Sequence, residues 1–332
     1  MPKQAMGVYS GVRFVPEAEL GVTPADGTVR NLPFNSCTVA AEQNRTTPGT
    51  MTGRRDPVEP IMGNINVSGG ITIPLDTNVF GWILALAFGN PTTTSLGEGK
   101  YQHVFKPSTE QPSFSLEKAF SNGDYFVNKG CKISSLGFSF GGDGELTCDV
   151  QVLGCNETIS DEPISDTVTD LVLDRLNNFQ AGLKVDNVDV AVATEVTLDV
   201  GFGLDEEGYA IGGNGFRSRI NEGLLELSGN MTAFYDDDTY VQKAMNSTIT
   251  ALQIKLTKQG NSLQIDLPEV QFPRRSPSIE GSAGVMQNLE YGAFYKTNAL
   301  DTAIQFTLIN ETESYEVIEE EEEEEEEEQG NG

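Results

Sequence analysis

Alternation with a period of two governs this chain. β-Branched and aromatic residues alternate with polar ones over Val8–Val15, Ile65–Ile73, Ser113–Phe120, Lys132–Phe140, Glu145–Leu153, Glu195–Phe202, Leu224–Ala233, Ala251–Leu256, Leu263–Leu267 and Ala303–Ile309. Turn chemistry separates them: Asn122-Gly123-Asp124, Gly141-Gly142-Asp143-Gly144 and Gln259-Gly260-Asn261. Side chains that alternate in this way bury one face of a sheet, so the chain must build sheets and pack them. Helix signals are few. Asp76-Thr77 caps a stretch that runs to Phe88 and stops at Gly89, and Asp236–Thr239 caps another through Ala244. A third candidate is Thr169–Phe179, with Leu171, Leu173 and Leu176 at mixed spacing. The expectation is a mainly β protein with two or three short helices.

The pattern occurs twice. Val67-Ser68-Gly69-Gly70-Ile71-Thr72 followed by Asp76-Thr77 matches Leu227-Ser228-Gly229-Asn230-Met231-Thr232 followed by Asp236 and Thr239. Each copy is preceded by a polar loop with two arginines, Arg54 and Arg55 in Ala41–Pro60, Arg217 and Arg219 in Gly203–Glu222. Loops of about 20 residues in a compact protein are mostly functional or disordered. Ser113–Phe120 then corresponds to Ala251–Lys258, and the ends Leu153–Thr158 and Leu308–Thr312 also match. The expected organisation is a first β domain over 1–156, an acidic linker over 157–169, a similar β domain over 170–310 and a tail over 311–332; the alternative is a single large sandwich with recurrent turn chemistry.

Charge narrows the function. The chain of 332 residues has 21 Lys and Arg against 50 Asp and Glu, a formal −29. Residues 1–160 carry −4, residues 161–310 carry −12, and residues 311–332 carry −13. A protein that grips nucleic acid neutralises phosphates with basic side chains, so this balance excludes that class. The run Glu319–Glu328 has like charges at every i,i+4 position and no apolar face, so it is expected to be a disordered tail that serves solubility. The longest apolar stretch, Val79–Phe88, is half of the roughly 20 residues a membrane-spanning helix needs. The N-terminus lacks the apolar core of a secretion signal. Cys37, Cys131, Cys148 and Cys155 are then expected as reduced thiols of a cytoplasm, and without a C-x-x-C pair no zinc site, metal or cofactor is expected.

Catalytic motifs fail on context. Gly137-Phe138-Ser139-Phe140-Gly141 fits G-x-S-x-G, but it leads into another strand instead of a helix, and His103 precedes the serine where that hydrolase order requires it after. His103 reads as an exposed strand residue. The Gly-rich segments lack the helix and lysine of a phosphate cradle, and Asp205–Glu207 and Asp236–Asp238 lack the spacing of a calcium loop.

Several motifs in a fixed order point to a family. Gly11-x-Arg13-Phe14, the box Glu17-x-x-x-Gly21-Val22-Thr23-Pro24, the long polar loop, Ser68-Gly69 before a short helix, and Tyr125 followed by Gly130-Cys131-Lys132-Ile133 resemble the tail tube (major tail) proteins of long-tailed bacteriophages. Ser228–Thr232, Phe234, Asp238 and Leu267-Pro268 are similar to the C-terminal portion of the larger members. The resemblance covers about residues 7–310 and implies two tail-tube-like β-barrel or sandwich units, no enzyme activity and no cofactor. It also implies a subunit of stacked rings around a DNA channel, in the virion tail, assembled in the host cytoplasm with other tail proteins. Genomic DNA would pass without specific binding, because a negative lumen repels phosphate. Rings of this family commonly hold six tube domains, so a chain with two favours a homotrimer of pseudo-sixfold symmetry over a hexamer. Arg45, Arg54, Arg55, Arg217 and Arg219 are the candidate assembly contacts. The alternative is a distal-tail, tail-tip or other β-sandwich binding module. A carbohydrate-binding version would show clustered exposed aromatics, and the single tryptophan, Trp82, falls inside an apolar helix.

Overall fold

A computed structural model describes residues 4–279 and 281–317; residues 318–332, with the glutamate run, lie outside the described residues. The chain is mainly β. Its first half holds β1 (Gly11–Glu17), β2 (Val29–Leu32), β3 (Ser36–Cys37), β4 (Ala40–Thr46), β5 (Ile61–Pro74), α1 (Phe80–Phe88), β6 (Thr92–Gly97), β7 (Lys100–Phe105), β8 (Ser113–Ala119), β9 (Tyr125–Gly141), β10 (Thr147–Gly154), β11 (Asn156–Ser160) and β12 (Val168–Asp170). The second holds β13 (Ala181–Val185), β14 (Val188–Asp189), β15 (Ala193–Gly201), β16 (Glu226–Phe234), α2 (Thr239–Met245), β17 (Thr250–Lys258), β18 (Asn261–Gln271), β19 (Met286–Ala293) and β20 (Gln305–Asn310).

Strand pairing repeats from one half to the other. In the first, β1, β8, the start of β9 and β11 form one layer. The second part of β9 then continues with β10, β5 and β4 into another layer. In the second, β13, β17, β18 and β20 form one layer, and the end of β18 continues with β19, β16 and β15. The halves are joined where β9 pairs with β15 from Ser135↔Gly201 to Gly141↔Glu195, and again where β20 pairs with β7. The result is an open, sandwich-like stack of sheets. One contiguous apolar cluster lies between the layers and includes Phe14, Ile73, Leu116, Leu136 and Phe138 from the first half with Leu198, Met231, Ile265 and Phe306 from the second.

α1 forms where its cap predicts it. Asp76 Oδ2 accepts from the amides of Asn78 and Val79 (3.3 and 3.0 Å) and Oδ1 from Phe80 N (2.8 Å), so a buried carboxylate holds the orphan donors of the first turn. All of α1 except half-buried Trp82 is buried, and Gly89, at φ +89°, ends it. Asp237 Oδ1 accepts from Thr239 N (2.8 Å) at the start of α2. The third expected helix is absent. Val168–Asp170 pairs in parallel with β2, and the run beyond it forms no α-helix and only a single 3-10 turn at Asn178–Gln180, because Leu171 and Leu173 alternate as a strand does and only Leu176 of the three leucines is buried. The acidic stretch expected as a linker contributes most of β11 and the start of β12. Residues 311–317, assigned with the tail by sequence, are packed: Tyr315 is fully buried, its hydroxyl donating to Asn78 O (2.7 Å).

Candidate functional site

The long antiparallel sheet β4–β5–β10–β9–β15–β16–β19–β18 has two faces of opposite character, set by alternation. Its inward positions hold Ile71 and Ile73, Val150, Leu136 and Phe138, Leu198 and Val200, Met231, and Leu289. Its outward positions are small or polar: Ser68, Gly70 and Thr72 on β5, Ser135, Gly137 and Ser139 on β9, Ser228, Asn230 and Thr232 on β16. Five outward positions are acids: Asp149, Glu195, Asp199, Glu226 and Glu290. On β5, β10, residues 133–141 of β9, β15, β16 and β19, all of them described, no outward position is Lys or Arg. The register brings Asp149 and Asp199 to either side of Gly137. Asp149 accepts from Thr72 Oγ1 (2.7 Å), Glu195 accepts from Ser139 Oγ (3.2 Å), and Arg275 reaches over from beyond β18 to pair with Glu290 (2.8 Å). A smooth face of small side chains with fixed negative charges repels a polyanion, and the Arg275 fork above it is already engaged by Glu290. The sequence carried this signal in the alternate positions of the Glu145, Glu195 and Leu224 segments.

The repeated Ser-Gly step explains itself in the same sheet. A Cβ on Gly229 would lie 2.2 Å from Thr197 O and 2.4 Å from the Tyr291 hydroxyl, so only glycine fits. Tyr291 uses the space, donating to Thr197 O (2.6 Å); burial, with the charge of Asp199 added, pushes its phenol up. The Glu17 box is an internal clamp. Glu17, buried, accepts from Gly21 N (2.8 Å), Ser113 Oγ (2.9 Å), Ser115 Oγ (2.6 Å) and Gly130 N (3.0 Å), tying the Gly21 turn to β8 and to β9.

The arginines fall into two groups. Arg45, Arg54 and Arg55 are exposed on the arm formed by β4, β5 and the residues between them, where Arg54 pairs loosely with Asp56 at 3.4 Å. Arg219 is exposed too. Arg217 is different from its expected role as an assembly contact: it is 5% exposed and engaged within the subunit. Its Nε donates to Glu206 O (2.7 Å), Nη1 to Gly154 O (2.9 Å), and Nη2 to Asn66 Oδ1. Its loop is thereby laid against β5 and β10 of the first half, where Gly215 O accepts from Ile65 N (2.8 Å), Glu222 pairs with Lys132, and Ile220 packs on Leu153 and Cys155.

His103 is fully buried and not the exposed residue expected. Nδ1 faces Thr93 Oγ1 and Nε2 faces Thr312 O, both at 2.9 Å, so both ring nitrogens have partners. Ser139 stands exposed on the acidic face with Glu195 as its partner. The four cysteines are free thiols, and among the described residues no group of His, Cys, Asp and Glu has the arrangement to hold a metal ion. Among those residues no helix is long and apolar enough to cross a membrane. Residues 8–293 match the family described as phage tail tube protein. No curated protein matches the chain.

Proposed function

The chain belongs to the phage tail tube protein family, a structural family of the virion tail, and from that premise we propose that it is the wall subunit of the tube. Copies join edge to edge into rings, the rings stack, and DNA slides through the lumen along the acidic face of the long sheet. The observation that carries this reading is the sheet itself, apolar on one side and, over β5, β10, residues 133–141 of β9, β15, β16 and β19, acidic with no outward Lys or Arg of its own on the other. Each half is proposed to act as one tube unit, because the two halves repeat the same pairing order. Three chains then supply six units, so the ring is a homotrimer of pseudo-sixfold symmetry. The exposed arm bearing Arg45, Arg54 and Arg55, with Arg219, supplies contacts between copies, and assembly with other tail proteins takes place in the host cytoplasm.

Negative-stain microscopy of the purified protein is expected to show rings or hollow tubes, and native mass spectrometry of the ring is expected to give three chains. Six chains per ring would sink the trimer, and monomers at every concentration would sink the tube reading. Double-stranded DNA at physiological salt is expected to show no retention by the assembled tube.

A further inference from the structure

We propose that the arm of one copy docks on the second half of a neighbouring copy through Arg55 and Val58, repeating between copies the contact that Arg217 and Ile220 make within one. The inference rests on the ring reading and names the surface it uses.

The mapping comes from the repeated strands. Ser68 and Gly69 of β5 correspond to Ser228 and Gly229 of β16, so Asn66 corresponds to Glu226 and Val67 to Leu227. Val67 pairs with Gly154, and Leu227 pairs with Ala293, which makes Ala293 the counterpart of Gly154. The loops before these strands align as well. Gly215-Phe216-Arg217-Ser218-Arg219-Ile220 matches Gly53-Arg54-Arg55-Asp56-Pro57-Val58, and the two glycines share a left-handed backbone, φ +83° and +72°. Arg55 is thus the counterpart of Arg217, and Val58 of Ile220.

Within the chain, Arg217 bonds to Asn66 and Gly154 O while Ile220 fills the site beside Leu153 and Cys155. On the second half the equivalent site stands open. A groove of ≈ 560 Å³ runs along Gln271, Phe272, Arg274, Gly292, Ala293 and Phe294. It is open because β18 stops at Gln271, whereas β9 continues to Gly141 and pairs with β15. Around a ring the next element is the β4 edge of the following copy, with its arm. The opposite charge for Arg55 comes from the strand position that corresponds to Asn66, since the groove itself is lined by Arg274. Where the internal site offers Asn66 to an arginine, the open one offers Glu226, exposed, to an exposed Arg55.

The test is a charge exchange read by sedimentation velocity on the full chain. Arg55→Glu and Glu226→Arg, both at exposed positions and so expected to fold with unchanged melting temperature, are each expected to weaken ring formation by about tenfold or more. The double exchange is expected to restore it, and Lys255→Glu, an exposed charge reversal on β17 outside both arm and groove, is expected to stay within about twofold. Rings formed equally well by Arg55→Glu would overturn the docking and leave the ring. A double variant no better than either single one would overturn the Arg55–Glu226 pairing. A wild-type chain that never associates would overturn both docking and ring.

Discussion

Arg217→Ala removes from the interior a guanidinium that fastens the 203–222 loop to the first half. Three hydrogen bonds from a charged donor, at roughly 1.5–3 kcal/mol each, set the upper bound on what is lost. The hydration that the guanidinium regains on unfolding takes back part of it, leaving a net cost of about 3–4 kcal/mol. With an unfolding entropy of about 2.1 cal/mol/K per residue over this length, the melting temperature is expected to fall by about 4–6 °C. A second readout locates the damage. Cys155 is 5% exposed beneath Ile220, and burial, with Glu17 nearby, pushes its thiol up to about 11. Cys131 and Cys148 are fully buried and Cys37 is partly open. A thiol reagent at pH 8 is therefore expected to titrate about one cysteine per chain in the wild type and about two in the variant, as the loop lifts. A melting temperature within about 1 °C of the wild type, with the thiol count unchanged, would refute the clamp.

Glu17→Gln keeps the shape of the side chain but turns one acceptor into a donor. The serine hydroxyls can rotate to suit it, yet one of the amides of Gly21 and Gly130 must lose its partner, costing about 2–3 kcal/mol by chemical denaturation; an unchanged midpoint would contradict the clamp. Burial holds His103 below the ordinary histidine value of 6.5, so the folded state binds its proton less readily than the unfolded one. Its contribution to stability is complete above about pH 6.5 and is lost as pH falls toward the folded value. The melting temperature of the wild type is thus expected to drop across that window with a steeper slope than that of His103→Gln, and equal slopes would clear His103 of the role. Gly229→Ala forces a methyl between Thr197 O and Tyr291, and a loss of about 3 kcal/mol or a failure to fold is expected; a wild-type melting curve would count against the close approach.

Much of the sheet was legible because its strands are long and half-buried. Each of the ten alternating segments contains a strand, and both capped helices form where Asp76 and the Asp236–Asp238 run announce them. The missed strands lack an apolar row. β6 is Thr-Thr-Thr-Ser-Leu-Gly at an edge, exposed throughout, and β19 presents inward only Gln287, Leu289 and Tyr291. The false helix at Thr169–Phe179 came from three leucines without a face. Arg217 and its exposed relatives look alike in sequence because a polar loop does not announce whether it will fold back on its own chain. The acidic face was present in the alternation, but which strands lie side by side depends on pairings as distant as β9 with β15.

The closing strand carries a consequence for synthesis. β20 adds to β7 some two hundred residues upstream, and Tyr315 then seats against Trp82 and His103, ring centroids 5.1 and 4.8 Å away. Pairings so far apart in sequence form slowly. A chain on the ribosome that has not yet been made through Tyr315 has α1 without this plug and β7 with one side bare, so the first half waits on residues made some two hundred positions later. Chains not yet extended through Tyr315 thus lack a settled first half and present no completed edge.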